Sequence, residues 1–317
     1  MFPTKILLAT DGSEEAGRAA RMATVLSEKV GSELHLVRVE PIPRALADPE
    51  SVYYGAGNSK QMREIAQRDS SEKLDEEVRE IRGMGGDVAG AHARVGRPDA
   101  EIVRLAEEIE AGLVVVGSRG FGSLRRALTG SVSGSVVRHA HGSVLVVRED
   151  GGLPGRILLA HDGSKEAGEA ARAAAEISVA TGSELHLVYV SLAESPYYPG
   201  PEMPDVSAGY LERLHERARA WVEQQAERLG AEGVDVEAAH LRLGAPDREI
   251  VSLAEELEIG LIVVGSRGLG GLKRALLGSV SDSVVRYAHC PVLVVRSEDL
   301  RRAADTQPTE ELRKARV

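Results

Sequence analysis

One cysteine in 317 residues, Cys290, leaves no partner for an intrachain disulfide, and nothing points to an oxidising compartment. Aromatic residues are almost as scarce: two phenylalanines, one tryptophan and seven tyrosines. The core must therefore be built from Val, Leu, Ile and Ala. Positive charge is not in excess either. The 39 Lys and Arg are outnumbered by 49 Asp and Glu, a formal net charge of −10, whereas nucleic-acid binding and docking on an anionic membrane surface both need clustered cationic excess. Long apolar runs are missing as well. The start, MFPTKILLATDGS, has only a few apolar residues before Asp11, too few for a signal-peptide core, and no run approaches a membrane span. These absences predict a cytoplasmic protein that contacts neither nucleic acid nor membrane.

Glycine, by contrast, is plentiful, and much of it recurs in register. GSRGFGSLRRALTGSVSGSVVRHAHGSVLVVR (117–148) returns as GSRGLGGLKRALLGSVSDSVVRYAHCPVLVVR (265–296), with 24 of 32 positions identical. ILLATDGSEEAGRAARMA (6–23) returns as ILLAHDGSKEAGEAARAA (157–174), and ARVGRPDAEIVRLAEE (93–108) as LRLGAPDREIVSLAEE (241–256). The offset is 151 residues at Asp11/Asp162 and 148 at Gly117/Gly265. A period near 150 is too long for a solenoid repeat, so each copy is expected to be a domain. The expected bounds are 1–148 and 156–297, joined by the linker 149–155 and followed by a charged, solvated tail over 298–317. The linker EDGGLPG reaches at most roughly 25 Å, which predicts that the halves pack together.

Within one copy, KILLAT, ELHLVRV, VAGAHARV, GLVVVG and SVLVVR predict five strands, the central ones apolar throughout. Four helical patterns alternate with them. Ser13 is a candidate N-cap, followed by Glu14 and Glu15 where acids suit the helix dipole. Ile102, Leu105, Ala106 and Ile109 keep to one face of a helix opened by Pro98-Asp99, and Ile250, Leu253, Ala254 and Leu257 repeat that face. The longest helix is expected near 59–83, with its counterpart near 206–229. Strand–helix alternation predicts parallel sheets covered on both sides: two doubly wound, Rossmann-like α/β domains.

The recurring loop runs Gly117-x2-Gly120-x9-Gly130-Ser131 in the first copy and Gly265-x2-Gly268-x9-Gly278-Ser279 in the second. Glycine lets backbone approach a ligand closely and adopt positive φ. The helix that follows offers unpaired N–H donors at its positive end, with hydroxyls at Ser131 and Ser133, an arrangement suited to phosphates. Asp11 ends the first strand and Gly117 the fourth, so both can line one crevice beyond the strand ends. No Walker loop is present, and Gly120-x-Gly122 lacks the third glycine of a dinucleotide fingerprint.

D-G-S after the first strand and G-x2-G-x9-G-[ST] after the fourth resemble the ATP-binding branch of the universal stress protein family, over 1–148 and 155–296. The resemblance implies a five-stranded parallel sheet of order 3-2-1-4-5 with ATP, carrying Mg²⁺, between strands one and four. It places Ala9 and Asp11 against the adenosine and the Val39 backbone at the adenine edge. Gly117, Arg119, Gly120, Gly130, Ser131, Val132 and Ser133 would then surround the triphosphate. In the second copy the same positions are Ala160, Asp162, Val190, Gly265, Arg267, Gly268, Gly278, Ser279, Val280 and Ser281. It further implies pairing through fifth strands, as two fused subunits and as a further homodimer. The function implied is a nucleotide-dependent stress-response sensor or regulator with little fast turnover. Slow ATP hydrolysis, autophosphorylation or nucleotidyl transfer on the same fold is the alternative.

Plainer roles stand beside these. The glycines would serve as tight-turn residues with no ligand, Asp11 and Asp162 as turn caps, and Arg119 and Arg267 as solvated loop arginines. His139 and His141, matched by Tyr287 and His289, fit helix-end packing better than a metal site. His35 and His186 fit packed or edge strand positions. The second copy has Cys290 where the first has Gly142, which argues against a catalytic thiol. Tyrosine pairs recur after each second strand, Tyr53-Tyr54 and Tyr197-Tyr198, as loop packing or as lids over the adenine.

Overall fold

The computed structural model describes residues 2–41, 56–118, 130–148, 152–191, 208–231, 233–268 and 277–296. The first half runs β1 (Lys5–Thr10), α1 (Glu14–Val30), β2 (Glu33–Pro41), α2 (Ala56–Gly83), β3 (Val88–Gly96), α3 (Pro98–Glu108), β4 (Leu113–Gly117), α4 (Ser131–His139) and β5 (Ser143–Val147). The second repeats it: β6 (Arg156–Ala160), α5 (Lys165–Thr181), β7 (Glu184–Ser191), α6 (Ala208–Ala231), β8 (Ala238–Leu243), α7 (Pro246–Glu256), β9 (Leu261–Gly265), α8 (Ser279–Tyr287) and β10 (Val292–Val295). Every predicted strand forms. The two long helices are offset from their expected ends by two or three residues at most, the ordinary fraying uncertainty of helix termini.

The ten strands among the described residues join one sheet of order β3-β2-β1-β4-β5-β10-β9-β6-β7-β8. Each half is parallel with order 3-2-1-4-5, and the halves meet where β5 and β10 pair antiparallel, Leu145 opposite Leu293. The expected fifth-strand pairing thus occurs inside one chain. It corrects the further homodimer through those strands: β5 is bonded to β4 and β10, and β10 to β9 and β5, so neither keeps an edge for a second copy.

Alternation along the strands sorts the core into two layers. Ile6, Leu8, Leu34 and Leu36 face α1 and α2, and in the second half Ile157, Leu159, Leu185 and Leu187 face α5 and α6. Leu7, Val37, Val114 and Val116 face α3 and α4, with Leu158, Ile262 and Val264 on the same side. The two buried clusters each draw on both halves, and α1 packs on α5 across the seam. Aliphatic β-branched strands buried on both faces explain how so few aromatics suffice.

Candidate functional site

Strand order reverses between β1 and β4, because the chain leaves β1 through α1 on one face and reaches β4 through α3 on the other. In open α/β sheets the crevice beyond the carboxyl ends of the strands at such a reversal is where ligands sit. Ala9, Val39 and Val132 lie on the α3/α4 face of the first half, and Ala160, Val190 and Val280 match them in the second. The turn after β1 is fixed locally. Gly12 takes φ +77 and Gly163 φ +86, which an L side chain would strain. Asp11 Oδ1 accepts the Ser13 N–H at 3.0 Å, and Asp162 Oδ1 the Ser164 N–H at 2.9 Å. Ser13 and Ser164 then cap α1 and α5, accepting from Ala16 and Ala167. The aspartates therefore have a turn-holding role.

The glycine loop departs from expectation in instructive ways. None of the described loop glycines, Gly117, Gly130, Gly265, Gly268 and Gly278, has positive φ. Close approach is what requires them. A Cβ on Gly117 would stand 2.9 Å from the Glu15 carbonyl carbon, and one on Gly265 2.9 Å from that of Glu166. The first glycine of the motif thus lets the end of the fourth strand press on the opening turn of α1 or α5. Gly268 lies against Asp162 Oδ2, which a Cβ there would displace. Backbone of the loop and carboxylate of the first turn therefore meet at one point.

The helix after the loop is held open at its N-terminus. Gly130 N–H donates to Ser118 O at 2.7 Å, and Gly278 N–H to Ser266 O at 2.7 Å. The N-cap residues, Gly130 and Gly278, have no side chain with which to cap the first-turn amides of α4 and α8. Ser131 and Ser279 are exposed in that turn. Ser133 and Ser281, expected to offer hydroxyls to phosphate, are instead buried and donate to Gly117 O at 2.6 Å and Gly265 O at 2.7 Å. They tie helix to strand.

Arg267 is not solvated. Its Nη2 lies 3.6 Å from Glu166 Oε1, with both side chains largely buried. Arg119 and Gly120 fall outside the described residues, as do Tyr53, Tyr54, Tyr197 and Tyr198. His139 Nδ1 lies 2.8 Å from Ser135 O, and His141 Nδ1 lies 2.9 Å from Glu107 Oε1. His35 and His186 stack on His92 and His240 of the neighbouring strands, with N···N separations of 3.4 and 3.2 Å. Burial, then the partner histidine, pulls His92 and His240 below the ordinary histidine range.

The supports behind the two turns differ, which the near-identical motifs did not disclose. Behind Gly12, Arg38 Nη1 donates to Glu77 Oε1 at 2.6 Å, and burial raises the Glu77 carboxyl even against that cation. Behind Gly163 stands Trp221, packed on Tyr189 and His161 with ring centroids 4.5 and 5.9 Å away. The signal was present as register mismatches, Thr10/His161 and Arg38/Tyr189, in otherwise matching segments.

The model of the universal stress protein family matches residues 3–148 and again 154–296. The chain belongs to the universal stress protein family. A universal stress protein of Methanocaldococcus jannaschii is 35% identical over 153 residues, 48% of this chain and 87% of that protein. One of Mycobacterium tuberculosis is 35% identical over 206 residues, 63% of this chain and 66% of its own length. Among solved structures, a universal stress protein from Archaeoglobus fulgidus shares the fold over 92% of this chain and 96% of its own, at 26% identity and a TM-score of 0.63. In this tandem universal stress protein, no described helix is long and apolar enough to cross a membrane.

Proposed function

We propose that each half binds an adenine nucleotide, ATP with Mg²⁺, and that the chain acts as a nucleotide-dependent stress-response regulator with little turnover. The observation that carries this reading is the meeting, at the second crevice, of an uncapped helix N-terminus, a loop glycine and a carboxylate: α8, Gly268 and Asp162. Main-chain amides at a positive helix end suit phosphates. The glycine leaves room for backbone to approach them. Ala160, Val190 and Val280 offer an apolar wall on one face for the base. Asp162 provides a carboxylate oxygen, and Mg²⁺ held by one carboxylate together with phosphates and water has ordinary coordination.

The site favours holding over turnover, because its groups are committed to structure: Ser281 to Gly265 O, and Arg267 to Glu166. Fast phosphoryl transfer needs a placed nucleophile or base besides the cradle. Nucleotide released from the heat-denatured protein should be an adenylate, identified by mass spectrometry at up to two per chain. Gly268→Val should abolish binding at the second crevice by driving a side chain into Asp162. Calorimetry showing unchanged affinity at both sites of that variant would refute the placement.

A further inference from the structure

Each fifth strand is followed by an arginine that leaves its own half. Because β5 and β10 run antiparallel about Leu145 and Leu293, Arg148 and Arg296 emerge beneath the helices of the opposite half. Both are buried. Arg148 Nη1 donates to Ala288 O at 2.9 Å, and Nη2 to Val285 O and, at 3.3 Å, to Arg286 O. Those carbonyls are the C-terminal end of α8. Arg296 Nη2 donates to Val137 O at 2.6 Å and Arg138 O at 3.4 Å, the same end of α4. Each guanidinium thus caps the negative end of a helix whose positive end opens the other half's cradle.

The contacts close into a ring. Gly130 N–H donates to Ser118 O, and Ser118 N–H to Val147 O at 2.9 Å; the next residue, Arg148, grips α8. That helix begins after Gly278, whose N–H donates to Ser266 O. Ser266 N–H donates to Val295 O at 2.8 Å; the next residue, Arg296, grips α4, which begins after Gly130. Arg296 also faces the loop cation of its own half. Burial first, and Arg267 second, pull its guanidinium down to about 10.

We propose that Arg148 and Arg296 are positioning residues that couple the two nucleotide sites, so that filling one tightens the other. The proposal rests on the nucleotide reading of both crevices. Phosphates at the N-terminus of α4 hold that helix, and its last carbonyls hold Arg296, Val295, Ser266 and Gly278 in turn. The second ligand then meets an ordered cradle and loses less freedom on binding. Arg148 and α8 carry the same effect the other way, as linkage requires.

The full chain titrated with ATP tests this. Trp221, the only tryptophan, lies 3.1 Å from where a Cβ on Gly163 would stand, so its emission follows the second crevice. Gly120→Val, at the first-copy position that Gly268 occupies in the repeat, is chosen to block the first site and should weaken second-site affinity about fivefold or more. In the Arg148→Met/Arg296→Met background the same block should have almost no effect. If the block leaves the second site unchanged in the wild-type background, or costs as much without the arginines, the coupling is overturned and the arginines only hold the halves together. Hydrogen exchange needs no arginine substitution. In Gly268→Val, ATP at the first crevice should slow amide exchange in α8 as well as α4, and protection confined to α4 overturns the proposal. A wild-type chain that gives neither heat nor a Trp221 change with ATP sinks the nucleotide reading, and the coupling with it.

Discussion

Gly265 shows what one hydrogen in place of a side chain does here. A Cβ would meet the Glu166 carbonyl carbon at 2.9 Å and the Ala167 nitrogen at 3.1 Å, both backbone, so neither can rotate away. Gly265→Ala should destabilise the chain by about 1–3 kcal/mol, the usual cost of overpacking, read as a lower denaturation midpoint in guanidinium at unchanged slope. Gly31 and Gly182, with φ +69 and +74, are required for the other reason, ending α1 and α5 in left-handed geometry. The sequence marked Gly265 as part of a motif. It did not reveal that the requirement is packing against a helix, because the spacing of glycines carries no information about which backbone lies opposite.

At the scale of elements, the contrast is between helices closed by their own sequence and helices left open. α1 and α5 have Ser13 and Ser164 as caps, legible from D-G-S. α4 and α8 start after N-cap glycines, which have no side chain of their own to cap with, legible from G-S. The tie between α3 and α4 was not legible. Asp99, near the start of α3, accepts from Ser135 of α4 at 2.7 Å and from Arg97 at 2.8 Å. The Arg97 hydrogen bond, with Ser135 adding to it against the cost of burial, holds the Asp99 carboxyl down to about 2. A depressed carboxyl contributes stability that is complete above its ordinary range near 4 and disappears as pH falls toward about 2. Asp99→Asn should therefore flatten the loss of stability between those values, measured by urea unfolding across the acid range.

On the scale of the molecule, one continuous sheet replaces two docked ones. The seam is three apolar pairs, Val292–Val146, Leu293–Leu145 and Val294–Val144, reinforced by Arg148 and Arg296 reaching across it. An isolated first half, residues 1–148, would expose β5 as an apolar edge, and such edges pair. It should self-associate in sedimentation velocity, and Leu145→Lys at the centre of the register should keep it monomeric. A monomeric unsubstituted half would show that β5 contributes less to the seam than its pairing indicates.

The sequence by itself determined the two copies, their strands and helices, the strand-end turns and the aliphatic core, because these follow from local periodicity and from glycine, serine and aspartate chemistry at fixed spacing. Only the tertiary structure decided that the paired fifth strands keep no edge for a second copy, that Ser133 and Ser281 bond strand rather than phosphate, and that Trp221 and the Arg38–Glu77 pair stand behind otherwise matching turns. Those contacts join residues 16 to 159 positions apart, some within one half and others between the two. No local pattern encodes which distant carbonyl an arginine will find once ten strands have closed into one sheet.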